Sequence, residues 1–188
     1  LGYKVFENCT ALTSVTLAPK QVKMNGVFAG CTALTDITIP ATVTEASGAF
    51  ANSGVKNVTF GEDNSSSPMR VDIPNAMFFE AKELESIVIP QSVTYIGYSA
   101  FEECTSLQNI VFPDELNTID SKAFKNATAL RSVVVPESVT SMGVDVFNGC
   151  TSLESVVLPD NIDNISKGTF YNCSALNKVN VPENAQYI

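Results

Sequence analysis

Five cysteines, Cys9, Cys31, Cys104, Cys150 and Cys173, are the residues of this 188-residue chain best suited to covalent or metal chemistry, and no histidine accompanies them. Cysteine and serine nucleophiles and zinc sites lean on imidazole, so its absence excludes Cys-His and Ser-His pairs and the usual zinc sets. All five cysteines hold one position relative to a recurring phenylalanine, and Ala81 and Ala127 fill that position in other repeats. A position that takes either Cys or Ala selects small size in a packed interior. Thiols one coil apart would lie about 4.8 Å from each other, beyond the ~3.8 Å Cβ separation of a disulfide. The odd count fits no disulfide framework. The expectation is free core thiols.

Carboxylates form a second set. Asp114, Glu137, Asp160 and Glu183 each follow a proline, with Glu115 alongside. Like charges one strand apart repel, so such a ladder is either a solvated acidic rim or a site for a basic partner. Calcium needs oxygens converging on one point, which a straight ladder does not supply. Paired carboxylates also serve glycosidases, but no aromatic-lined cleft is signalled beside them. With no nucleophile motif and no phosphate loop either, no metal, cofactor or catalytic residue is expected.

A third set points to recognition. The column Thr16, Thr38, Thr59, Val88, Val111, Val134, Val157 and Asn180 lies between two apolar anchors of an alternating segment and therefore faces away from the core. Four successive valines would make an outward apolar stripe about 15 Å long. Beside it run Ser86, Asn109, Ser132 and Ser155, all short and polar. A stripe of this kind suits an extended peptide or a protein edge, while the structural alternative is that β-branched residues simply favour a sheet.

The elements that position these residues follow from a period. Phe6, Phe28, Phe50, Phe78, Phe101, Phe124, Phe147 and Phe170 recur at intervals of 22 or 23, apart from one of 28. A fixed period in this range marks a solenoid, in which no single unit buries its apolar face alone. The unit beginning at Phe101 reads F-x-x-C-x-x-L-x-x-I-x-F-P-x-x-L-x-x-I-x-x-x-A and is copied without a gap from Phe124 and Phe147. Its L-x-x-I-x-I core, as in Leu84, Ile87 and Ile89, ends with period two and predicts a strand. Pro40, Pro90, Pro113, Pro136, Pro159 and Pro182 close that strand, because proline donates nothing to a ladder. A short apolar pair such as Val93 and Ile96 predicts a second extended segment on the opposite side. Asn8, Gly30, Asn52, Asn126, Gly149 and Asn172, two residues past each phenylalanine, predict a tight left-handed turn. Glu80 and Glu103 interrupt that column, so the turn is not expected to be left-handed in every coil.

This pattern resembles the BspA-like leucine-rich repeat of bacterial and protist surface or secreted proteins. The resemblance implies a curved array with a parallel sheet on its concave side, and it implies adhesion, surface display or binding to host matrix proteins. The residues that carry it are structural, so it names no ligand.

The expectation is a mainly β repeat solenoid: a right-handed leucine-rich-repeat coil over residues 1–188, as one array of about eight repeats. The repeat at 50–77 is longer by five residues and holds the polar loop Gly61–Arg70, a candidate ligand contact or a tolerated insertion. The chain begins and stops in mid-repeat, which reads as a segment of a longer protein whose signal and anchor lie elsewhere. Net charge of −9 argues against nucleic acid, and polar residues interrupt every apolar run, so no membrane span is expected. Of six N-x-S/T triplets, Asn64 in the inserted loop is the one expected to be accessible to glycosylation. The expected function is non-catalytic protein binding or adhesion through the concave face, centred on the four valines, with a protein ligand such as host extracellular matrix. The alternative is a structural spacer displaying another domain.

Overall fold

The structure is a computed structural model that describes residues 1–61, 72–183 and 185. The inserted loop beyond Gly61, including Asn64, lies outside the described residues. Among these the chain forms ten short strands and no helix. The long strands are β1 (Asp36–Ile39), β2 (Asn57–Phe60), β3 (Ser86–Val88), β5 (Asn109–Val111), β7 (Ser132–Val134), β9 (Ser155–Val157) and β10 (Lys178–Val179). Between them fall β4 (Tyr95–Ile96), β6 (Thr118–Ile119) and β8 (Ser141–Met142). Every pairing is parallel and joins consecutive coils, which is a parallel-sheet β-solenoid.

The phenylalanine file is the spine. Phe6, Phe28, Phe50, Phe78, Phe101, Phe124, Phe147 and Phe170 stack with centroids 5.2–5.9 Å apart and planes within 15°. Near-parallel rings at this separation are offset stacks, each worth about 0.5–1.5 kcal/mol beyond burial. The anchors Leu84, Ile87 and Ile89 and their equivalents, such as Leu130, Val133 and Val135, fill the rest of the core. Proline follows every long strand except β2, which runs into Gly61, and its carbonyl accepts the turn that follows, as from Val139 N to Pro136 at 3.0 Å.

The turn differs from the expectation. Glu80 and Glu103 are left-handed, with φ of 56° and 64°, like Asn126 at 58°. Each coil also holds a second left-handed residue two positions before the phenylalanine: Lys4, Gly26, Gly48, Ala76, Ser99, Lys122, Asp145 and Gly168. The reason is tertiary. Backbone bonds on both sides of the phenylalanine, such as Ser99 N to Ser121 O at 3.1 Å and Glu103 N to Lys125 O at 2.8 Å, fix the path to the next coil. The ladder thus imposes a conformation that side-chain preference alone would not choose.

Candidate binding face

All four valines project from the long-strand sheet: Val88 is 81% exposed, Val111 73%, Val134 65% and Val157 46%. Their strand neighbours Ile87, Ile110, Val133 and Val156 are buried, as alternation requires. Ser86, Asn109 and Ser132 are exposed and Ser155 is half-buried. Val88 pairs in register with Val111, and Val134 with Val157. Val111 and Val134 do not pair, because the sheet stops at β5 and begins again at β7. The four valines therefore fall into two laddered pairs in successive coils.

The anchor beside that break is Phe112, in a column held elsewhere by Leu17, Ile39, Phe60, Ile89, Val135, Leu158 and Val181. Its ring meets Phe124 of the next coil edge-on, at 5.7 Å and 69°. Its ring thus reaches into the next coil beside the break in the ladder. Phe60 occupies the same column in β2, and there too the ladder shortens. β1 and β2 pair at four positions, β2 and β3 at two.

Two clefts open on this face. One of about 810 Å³ is lined by Thr16, Thr38, Thr59, Asp36 and Asn57. Here the Asp36 carboxylate accepts hydrogen bonds from Thr35 Oγ1 at 2.5 Å and Asn57 Nδ2 at 2.8 Å, which hold its pKa down. The other, of about 580 Å³, lies over the break between β5 and β7.

The acidic column Asp114, Glu137, Asp160 and Glu183 is exposed along one side of the sheet. Part of it is structural. Glu137 Oε2 accepts the amide of Asp160 at 3.1 Å, as Gln91 Oε1 accepts that of Asp114 at 3.2 Å. Each side chain covers the first free amide after a proline in the next coil. Among the described residues no group of three or more His, Cys, Asp or Glu is placed to hold a metal ion.

The thiols are free. Cys104, Cys150 and Cys173 donate to the carbonyls of Phe78, Phe124 and Phe147 one coil back, at 3.1 Å, and Cys31 to Phe6 at 3.0 Å. Burial pushes the Cys104 and Cys150 thiols far up, so they stay protonated. Cys31 and Cys104 are buried and Cys173 partly so, whereas Cys9 is exposed and departs from the core expectation. Ser53 occupies the same column and bonds Phe50 O at 2.7 Å, a member that the Cys/Ala pattern passes over.

On the side of β4, β6 and β8, a polar cluster had no sequence signal. Tyr95 donates to Asp120 Oδ2 at 2.7 Å, and Asp72 accepts the amides of Thr94 and Tyr95 at 3.1 and 3.0 Å. Burial, then the Asp120 hydrogen bond, pushes the Tyr95 hydroxyl up to about 12.

The pattern of the BspA type leucine rich repeat region, six copies, matches residues 1–69 and 71–188. The chain belongs to this family. Among solved structures, the Treponema pallidum leucine-rich repeat protein is 27% identical over 88% of this chain and 66% of its own, with a TM-score of 0.65. A leucine-rich repeat protein from Bacteroides ovatus is 24% identical over the whole chain and 59% of its own, with a TM-score of 0.71. A leucine rich cell surface protein from Faecalibacterium prausnitzii is 22% identical over 95% and 68%, with a TM-score of 0.53. The chain thus spans less than two thirds of the first two proteins' lengths. No curated protein matches it in sequence. As a BspA-type repeat, the chain has a protein-interaction fold, and its described residues hold no helix long and apolar enough to cross a membrane.

Proposed function

We propose that this BspA-type array is a non-catalytic protein-binding module of a cell-surface or secreted protein, and that it engages its partner through the long-strand face. One observation carries the reading. Val88, Val111, Val134 and Val157 stay exposed while their strand neighbours Ile87, Ile110, Val133 and Val156 are buried, and aligned exposed apolar side chains mark interaction surfaces. The polar companions Ser86, Asn109, Ser132 and Ser155 supply hydrogen-bonding groups beside the apolar stripe, as interface rims do. Host extracellular matrix is the partner class that the family's surface display favours. The test is capture of purified matrix proteins by the immobilised chain. Retention of one of them by the wild-type chain supports the reading. Retention of none, with the chain folded, favours a structural spacer that displays another domain.

A further inference from the structure

We propose that the cleft between β5 and β7 receives a lysine or arginine side chain carried by an extended segment of the partner. This rests on the reading of the long-strand face as a protein-binding surface and names the residue type it selects.

The two coils concerned are joined at the spine, on the side of β6 and β8, and on the long-strand face itself by Arg131 N to Gln108 O at 3.4 Å, just before β7. Phe101 and Phe124 stack at 5.2 Å, β6 pairs with β8, and Phe101 N bonds Ala123 O at 2.7 Å. Among the described residues β5 and β7 themselves share no ladder. The cleft over this break is lined by Val111, Phe112, Val134 and Pro136, and Asp114 and Glu137 stand on the same lining.

Apolar walls with acidic groups match a side chain that is aliphatic along its stem and cationic at its tip. None of the residues lining the cleft is basic. The Asp114 carboxylate makes no hydrogen bond or ion pair among the described residues, and Glu137 commits one oxygen, Oε2, to the Asp160 amide. A cation entering the cleft therefore meets acceptors without displacing an internal partner. An acidic side chain would be repelled, and a purely apolar one would strip water from two carboxylates without compensation. The net charge of −9 draws a basic segment toward the face. The larger cleft lacks this character, since its carboxylate, Asp36, already accepts two hydrogen bonds.

The experiment is fluorescence anisotropy of a labelled seven-residue peptide of alternating valine and lysine, titrated with the intact chain. A control peptide carries norleucine in place of lysine. The second arm uses the Asp114→Asn, Glu137→Gln double variant, which keeps shape and an acceptor for the Asp160 amide, with its melting temperature checked against wild type. The lysine peptide is expected to bind wild type, and to bind the double variant at least about tenfold more weakly. The norleucine peptide is expected to show no difference between the two proteins. Equal affinity of the lysine peptide for both proteins, or no binding to wild type, overturns the proposal. The sheet-face reading is judged separately, by whether the Val88→Glu, Val134→Glu double variant loses capture of a matrix protein.

Discussion

Phe101 and Phe124 make the shortest step of the phenylalanine spine, 5.2 Å, in the one pair of consecutive coils whose long strands are unpaired. The spine is continuous where the long-strand ladder is interrupted, so the interruption is local to the sheet face. Phe112 is the residue we hold responsible. Replacing Phe112 with Ile restores the aliphatic anchor of the neighbouring coils and should let β5 pair with β7. The check is hydrogen exchange at Ser132–Val134, expected to slow in the variant. Unchanged exchange, with the variant folded, would remove Phe112 as the cause.

The spine itself should dominate stability. Phe124 is fully buried between two stacked neighbours. Phe124→Ala is expected to cost about 3–5 kcal/mol, read from denaturant midpoints. Val134→Ala on the exposed face should stay within about 0.5 kcal/mol of wild type.

Turn chemistry gives a prediction in both directions. Glu80 pays a left-handed backbone with a long side chain, whereas Asn visits that region more readily. Glu80→Asn should stabilise by a few tenths to about 1 kcal/mol, seen as a higher melting temperature. Gly149→Ala should destabilise, because at φ 75° its new Cβ would meet Asn126 Oδ1 at 2.0 Å. A neutral Gly149→Ala would show that the asparagine side chain simply moves aside.

Thiol reactivity should divide by position. Cys9 is exposed, while Cys104 and Cys150 are buried with raised pKa values and hydrogen bonds to phenylalanine carbonyls. A folded sample at pH 8 is expected to show one fast-reacting thiol, lost on Cys9→Ser. Cys104 and Cys150 should react only after denaturant is added. Fast labelling of either in the folded protein would contradict the burial described here.

Much of the architecture is legible in the residues because stacking makes each coil answer to the same constraints. The phenylalanine file, the strand-ending prolines and the outward valines each follow from one repeated position. Left-handed Glu80, Glu103 and Lys122 do not, because neighbouring backbones impose that φ and the residue type carries no trace of it. The break in the ladder between β5 and β7 was hidden for another reason. Phenylalanine and isoleucine are equivalent in an apolar/polar pattern, and only the volume of Phe112 separates them. Cys9 follows the small-residue column but is exposed, so column membership alone does not fix burial.

The central claim is that the long-strand face binds protein, and the Val88→Glu, Val134→Glu double variant tests it most directly. Both side chains are exposed, 81% and 65%, so the melting temperature should stay near the wild-type value. Affinity for a captured matrix protein, measured by biolayer interferometry on both proteins, is expected to fall beyond detection in the variant. An unaltered Kd with an unaltered melting temperature would contradict the account and move the binding surface elsewhere.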